Sequence, residues 1–199
     1  MTQPTVLGLS AVTSNFNGFG VSCNGGNNGT IDLSVSGGVA PYTYVWSNGG
    51  TSQDLSTLSA GIYSVIVSDA NSCSSTYFVT ITQPGALTSD ITGTAVSCNG
   101  AMNGAADVSV SGGVMPYTYL WNNGAITQDL SGLSGGVYSV VITDANGCIS
   151  NESVTIFEAP ALAGSLSDPG LAMNNGYSVS CNGSVNGSIQ SSYSGGVSP

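Results

Sequence analysis

The 199-residue chain contains no lysine, no arginine and no histidine, and its ten carboxylates give a formal net charge of −10. Each absence removes a class of function. Without a basic side chain nothing neutralises phosphates, which excludes nucleic-acid binding and attraction to anionic membrane surfaces. No Ser-His-Asp or Cys-His pair, Schiff-base lysine or P-loop lysine can be assembled. A histidine-ligated metal centre is excluded too, and lysine–asparagine isopeptide cross-links cannot form. No apolar run reaches the roughly 18 residues of a membrane helix, so no membrane insertion is expected in this segment. Met1 is not followed by a basic stretch and an apolar core, so any export signal is expected outside it. What survives is a binding or structural role, calcium chemistry, or a carboxylate-only enzyme.

What is present points to packed β-structure. Hydrophobic residues make up 41% of the chain and charged residues 5%, the reverse of a disordered composition. Glycine (29 residues), serine, threonine, asparagine and valine suit short strands joined by tight turns. The chain is also internally repetitive. Val21-Ser22-Cys23-Asn24-Gly25 recurs as Val96-Ser97-Cys98-Asn99-Gly100, and at that offset of 75 residues 21–83 match residues 96–158 at 39 of 63 positions. A third copy opens at Val179-Ser180-Cys181-Asn182-Gly183, and its 21 residues match residues 21–41 at 14 positions.

The alignment sets the expected boundaries: a linker with the first strand of repeat 1 over 1–20, repeats at 21–84 and 85–160, and a longer linker with an incomplete third repeat over 161–199. Thr2-Gln3-Pro4 resembles the Thr82-Gln83-Pro84 that ends the first repeat, so the natural protein is expected to extend in both directions.

Within a repeat, apolar positions alternate. Ile31, Leu33 and Val35 share one strand face; Tyr42, Tyr44 and Trp46 share another; Tyr63, Val65 and Val67 a third. Gly37-Gly38, Asn48-Gly49, Ala60-Gly61 and Asp69-Ala70-Asn71 break these runs, and Asn48-Gly49 and Asn123-Gly124 read as hairpin turns. Six or seven short strands in about 75 residues, with an inward tryptophan on the third, predict an all-β fold of tandem immunoglobulin-like sandwiches. Tyr44, Trp46, Tyr63, Tyr119, Trp121 and Tyr138 are the expected core aromatics.

A sandwich this small is marginal alone, and the cysteines address that. Cys23 and Cys73 lie 50 apart, as do Cys98 and Cys148, so pairing within each repeat is expected, leaving Cys181 with a partner beyond Pro199. Each such loop would stabilise its unit by about 4 kcal/mol. Two cysteines and no histidine per repeat cannot complete a zinc shell, and disulfides imply an oxidising, extracytoplasmic location.

The string from Val-Ser-Cys-Asn-Gly through Gly-Gly-x-x-Pro-Tyr-Thr-Tyr-x-Trp-x-Asn-Gly, Gln-Asp-Leu-Ser-x-Leu and Gly-x-Tyr-Ser-Val to Asp-Ala-Asn-x-Cys resembles the SprB repeat of large surface adhesins of gliding Bacteroidota. The likeness spans residues 21–83, 96–158 and 179–199. Its Tyr-x-Trp and Gly-x-Tyr-x-Val section is also similar to polycystic-kidney-disease-type sandwich domains. The resemblance implies type IX secretion, display at the extracellular cell surface, and a part in adhesion or gliding. It supplies no catalytic motif, and no enzyme is expected. Expected partners are neighbouring repeats of the same protein, then surface polysaccharide or identical chains. Two other readings stand beside this one. The incomplete third repeat could pair strands with another chain in a filament, or the aromatics could bind carbohydrate.

Three residue sets are site-like. Asp69 with Asn71, and Asp144 with Asn146, offer oxygen ligands to calcium. The competing reading is an Asx turn before the second cysteine, which the scarcity of nearby carboxylates favours. No other cofactor is expected. Asp54 and Asp129 could pair with Asp32 and Asp107 as glycosidase carboxylates, but repetition along successive modules points instead to charged solvent faces and guarded strand edges. Tyr42, Tyr44 and Trp46, with Tyr117, Tyr119 and Trp121, could form a sugar-stacking platform, although their alternation fits a core face better.

Overall fold

The structure, a computed structural model, describes residues 5–167 and 190–194. Every regular element among the described residues is a β-strand. The first six are β1 (Gly8–Thr13), β2 (Gly29–Ser36), β3 (Thr43–Trp46), β4 (Leu55–Leu58), β5 (Gly61–Ser68) and β6 (Ser74–Ile81). The same series recurs as β7 (Thr88–Thr94), β8 (Gly104–Ser111), β9 (Thr118–Trp121), β10 (Leu130–Leu133), β11 (Gly136–Thr143) and β12 (Ile149–Ile156), followed by β13 (Ala163–Ser167) and β14 (Gln190–Ser194).

Two three-stranded antiparallel sheets, ordered β1-β2-β4 and β3-β5-β6, form the first sandwich, and the orders β10-β8-β7 and β12-β11-β9 repeat that topology. Period-2 patterning places the core. Ile31 and Leu33 on β2 face Trp46 on β3, Val65 and Val67 on β5, and Val79 and Ile81 on β6 in one buried cluster, while Asp32, Ser34, Val45 and Ile66 point outward. Burying the larger members of such a cluster contributes about 1.5–3 kcal/mol each. The fold is therefore the all-β, immunoglobulin-like sandwich that the alternation predicts.

One turn expectation is corrected. Asn48-Gly49 does form a tight turn, with Gly49 N–H donating to Trp46 O at 3.0 Å and Trp46 N–H to Gly50 O at 2.9 Å. The strands flanking it do not form a hairpin: β3 pairs with β5, whereas β4 pairs with β2 in the other sheet. Asn123-Gly124 behaves identically after β9, which pairs with β11. The short strand β3 and the Trp46 indole, which donates to Ser52 O at 2.8 Å, steer the chain across the sandwich instead of back along the same sheet.

The segment preceding each first strand crosses under a Gly-Gly turn. Gly38 N–H donates to Thr5 O at 2.9 Å and Gly113 N–H to Gly85 O at 3.0 Å. Gly37 (φ +68°) and Gly112 (φ +71°) hold left-handed backbone there, so close to the crossing segment that no side chain fits.

By compactness the chain divides into two units. The first comprises Met1–Ile91, Val108–Gln128 and Ser139–Glu152, and the second Thr92–Asp107, Asp129–Tyr138 and Ser153–Pro199. The second unit contains the β8–β10 pairing (Leu130↔Ala106, Leu133↔Gly104) and the antiparallel pair β13–β14, in register Ala163↔Ser194 to Ser167↔Gln190. Ser194 aligns with Ser36 of the first repeat, whose partner on β1 is Gly8. The described part of the third copy thus begins with the same strand pair as the first.

Candidate functional site

The residues of most consequence are the cysteines, and their pairing differs from the expected one. Cys23 is bonded to Cys148, with Cα atoms 5.8 Å apart, while Cys73 and Cys98 are exposed free thiols. The Cys23–Cys73 and Cys98–Cys148 pairs expected from spacing do not form. Cys181 lies outside the described residues.

The reason is which end of the sandwich each cysteine occupies. The Cys23 loop is tied to the tail of its own repeat: Asn24 Nδ2 donates to Pro84 O at 3.0 Å and Gly25 N–H to Gln83 Oε1 at 3.0 Å. That tail follows β6, whereas Cys73 immediately precedes it. An eight-residue strand separates the two positions, roughly 26 Å, far beyond the ~7 Å Cα limit for a disulfide. The second repeat has the same order. Asn99 Nδ2 donates to Ala159 O at 3.1 Å and Gly100 N–H to Glu158 Oε1 at 2.7 Å, past the end of β12, and Cys148 precedes β12.

The Cys23–Cys148 junction lies within the first unit and is built by one asparagine. Asn146 Nδ2 donates to Ser22 O at 2.9 Å and to Phe16 O at 3.2 Å, and its Oδ1 accepts from Asn17 Nδ2 at 2.6 Å. Ser22 is itself fixed by Asn28, whose Oδ1 accepts from Ser22 N–H at 3.1 Å and whose Nδ2 donates to Ser22 Oγ at 3.0 Å. Beside the bridge, Cys23 and Asn24 line a cleft with Gly85, Leu87, Cys148 and Ile149.

The aspartate of each Asp-Ala-Asn-x-Cys segment is buried, Asp69 to 7% exposure and Asp144 to 5%. Asp69 Oδ1 accepts from Asn71 N–H and Cys73 N–H, each at 2.9 Å, and Oδ2 from Val39 N–H at 3.0 Å. Asp144 repeats the pattern with Asn146, Cys148 and Val114 at 2.8–2.9 Å. The oxygens considered as calcium ligands are thus those that organise an Asx turn. Asn71 and Asn146 contribute their backbone N–H to that turn, not a side-chain oxygen.

Burial pushes the Asp69 carboxyl up, but the N–H groups of Cys73, Val39 and Asn71 together outweigh it and hold the carboxyl below the usual carboxylate range. A group whose folded pKa is lowered contributes stability above its unfolded value, about 3.9 for aspartate, and loses it as pH falls through the folded value. We expect the urea midpoint of the first repeat to fall between about pH 4 and the lower folded value. Asp69→Asn should lower the neutral-pH midpoint and flatten that acid limb; an unchanged limb in the variant would remove Asp69 from the account.

The Gln-Asp-Leu-Ser motif has a role that its sequence did not reveal. Strand β4 pairs with β2 only as far as Ile31↔Leu55. At Leu33 the side chains take over: Asp54 Oδ1 accepts from Leu33 N–H at 2.9 Å and Gln53 Nε2 donates to Leu33 O at 2.6 Å. Gln128 Nε2 donates to Val108 O at 2.6 Å in the same manner. A carboxylate and an amide thus complete the backbone ladder where the strand has ended. Asp32 and Asp107 lie exposed on β2 and β8, and Asp129 is also exposed. The repetition of Gln-Asp at the 75-residue offset was the available signal.

Trp46 and Trp121 are each 2% exposed, and their indoles donate to Ser52 O and Thr127 O at 2.8 Å. Neither presents a face to a sugar ring. Tyr44, Tyr63, Tyr119 and Tyr138 are half-buried, as are Tyr42 and Tyr117. The Tyr42, Tyr63, Tyr117 and Tyr138 hydroxyls donate to the backbone carbonyls of Gly37, Ser59, Gly112 and Ser134.

Paired three-stranded sheets closed over a buried tryptophan, with the series repeated along the chain, define a tandem immunoglobulin-like repeat protein. Residues 21–51 and 92–126 match the family model of the SprB repeat, so the chain is similar to that repeat at these two places. The match supports a repeat segment of a surface adhesin, and the disulfide agrees with an extracellular setting. No curated protein matches the sequence.

Among solved structures, the chain is similar to a Dscam structure concerned with isoform specificity, at 11% identity over 77% of this chain and 46% of that one, with a TM-score of 0.34. It is also similar to an amphioxus IgVJ-C2 molecule, at 15% identity over 59% of this chain and 89% of that one, TM-score 0.28. A third is a tetra-tandem repeat from the extending region of a large adhesion protein, at 13% identity over 96% of this chain and 63% of that one, TM-score 0.25. The chain spans less than half of the Dscam chain, and likenesses at these scores add nothing to the fold read from the sheets.

Proposed function

We propose that this chain is a non-enzymatic stalk segment of a large secreted bacterial cell-surface adhesin, giving reach and mechanical continuity in adhesion or gliding motility. The observation that carries this reading is the SprB repeat matched at two places in a chain whose sandwich topology is itself repeated. The same resemblance supports type IX secretion and an origin in Bacteroidota as parts of this proposal. Length in such an array grows with copy number, because each unit packs mainly on its neighbours. The test uses antibodies raised against this segment on cells of the source organism. Intact cells should be labelled, and Fab fragments should reduce attachment or movement on a surface. Labelling only after permeabilisation would overturn the proposal.

A further inference from the structure

The Cys23–Cys148 junction has an open counterpart. In the second repeat, the cleft between the segment before the first strand (Gly85, Leu87) and the cysteine turn (Cys148, Ile149) is lined on its remaining side by Cys23 and Asn24 of the first repeat. The first repeat has the same cleft, about 360 Å³, formed by Thr5, Leu7, Gly38, Asp69, Cys73 and Ser74, and among the described residues no Cys-Asn loop lines it. Cys73 there is a free, exposed thiol. Asn71 is equivalent to Asn146, yet among the described residues its carboxamide makes no hydrogen bond, whereas that of Asn146 makes three. The complementary half is also exposed: Ser97 and Cys98 correspond to Ser22 and Cys23, and Cys98 is free.

We infer that the Cys73 cleft is a docking site for the Val-Ser-Cys-Asn-Gly loop of a further copy of this repeat, and that successive copies are joined by a relay of disulfides. In that relay the first cysteine of one repeat bonds the second cysteine of the next, never its own. Cys73 receives such a loop, and Cys98 supplies one. Each bond forms by thiol–disulfide exchange with a small-molecule disulfide such as oxidised glutathione. Two protein thiols lose two protons and two electrons, a mixed disulfide forms and resolves, and the oxidant leaves as two glutathione thiols. The inference stands on the clefts and not on the adhesin reading, and the two fail separately: a relay can exist in a protein that never reaches a cell surface.

The test uses the full 199-residue chain with Cys181→Ser, which leaves one free thiol of each kind, at about 1 mM, the effective concentration a short linker provides. Oxidised glutathione should convert monomer into a head-to-tail ladder on a non-reducing gel. Aspartate-directed proteolysis, which puts every cysteine in its own peptide, should recover residues 69–89 joined to residues 90–106. Asn71→Ala should slow ladder formation about tenfold, since it removes the hydrogen bonds that seat the loop. Persistence of monomer would overturn the inference. So would self-pairing of 69–89 with 69–89, or an Asn71→Ala chain that oxidises at the unaltered rate.

Discussion

Replacing both Cys23 and Cys148 by serine lowers the stability of the first unit by about 5 kcal/mol on chain-entropy grounds. The bridge closes a sequence separation of 125 residues, so it restricts the unfolded chain more than either 50-residue loop expected from spacing would. With a denaturant slope of about 2 kcal/mol/M, the urea midpoint moves down by roughly 2–3 M. The serine pair is nearly isosteric, and Cys23 and Cys148 are only half-buried, so little packing is lost with the bond. Cys73→Ser is the control: it changes an exposed free thiol and leaves the midpoint of the monomeric chain in place. A double-serine chain that unfolds at the parent's midpoint would falsify the pairing's role, and recovery of 1–31 joined to 69–89 would replace the pairing itself.

The second large effect comes from Gly112→Ala. A Cβ at this position would stand 1.8 Å from Ala86 O and 2.7 Å from Ala86 C, and the backbone is left-handed at φ +71°. Both obstacles are backbone atoms, so no rotamer change relieves them. The segment before β7 has to lift, breaking the Gly113 N–H bond to Gly85 O and withdrawing Leu87 from the turn. Left-handed strain of about 1–2 kcal/mol and a lost hydrogen bond of about 1 kcal/mol, with part of the Leu87 packing, sum to about 3 kcal/mol. Gly124→Ala isolates the conformational part. Its φ is +85°, but nothing lies within 4 Å of its Cβ, so it loses only about 1 kcal/mol. Thermal or urea unfolding of the two variants should therefore separate them clearly. Equal losses would mean that the close approach at Gly112 contributes nothing.

How far the sequence discloses this structure depends on whether local pattern or long-range register decides the feature. Ile31, Leu33, Val65 and Val67 announce their burial through alternation, because the side-chain period of a strand is fixed by its own backbone. Trp46 and Trp121 are legible for the same reason. The Asn-Gly turns were legible as turns but not as changes of sheet, since a turn fixes the local reversal and not the partner of the strand after it. The disulfide was hidden by the repetition that revealed the domains. Cysteines 50 apart in a 75-residue period satisfy pairing within a repeat and pairing with the next repeat equally, because 125 is 50 plus 75. Only the positions of Cys23 and Cys73 at opposite ends of β6 break that tie. Gln53 and Asp54 were visible as a repeated string, but a side-chain continuation of a backbone ladder has no sequence signature of its own.

The bridge also changes what happens when the two ends of the chain are drawn apart. Tension entering at residue 1 reaches Cys23, crosses the sulfur–sulfur bond to Cys148 and leaves toward residue 199, bypassing the 124 residues between them. Those residues can lose every strand and still add no length, which withholds roughly 430 Å of slack from the stretched chain. A reductant turns the same sequence into a much longer tether.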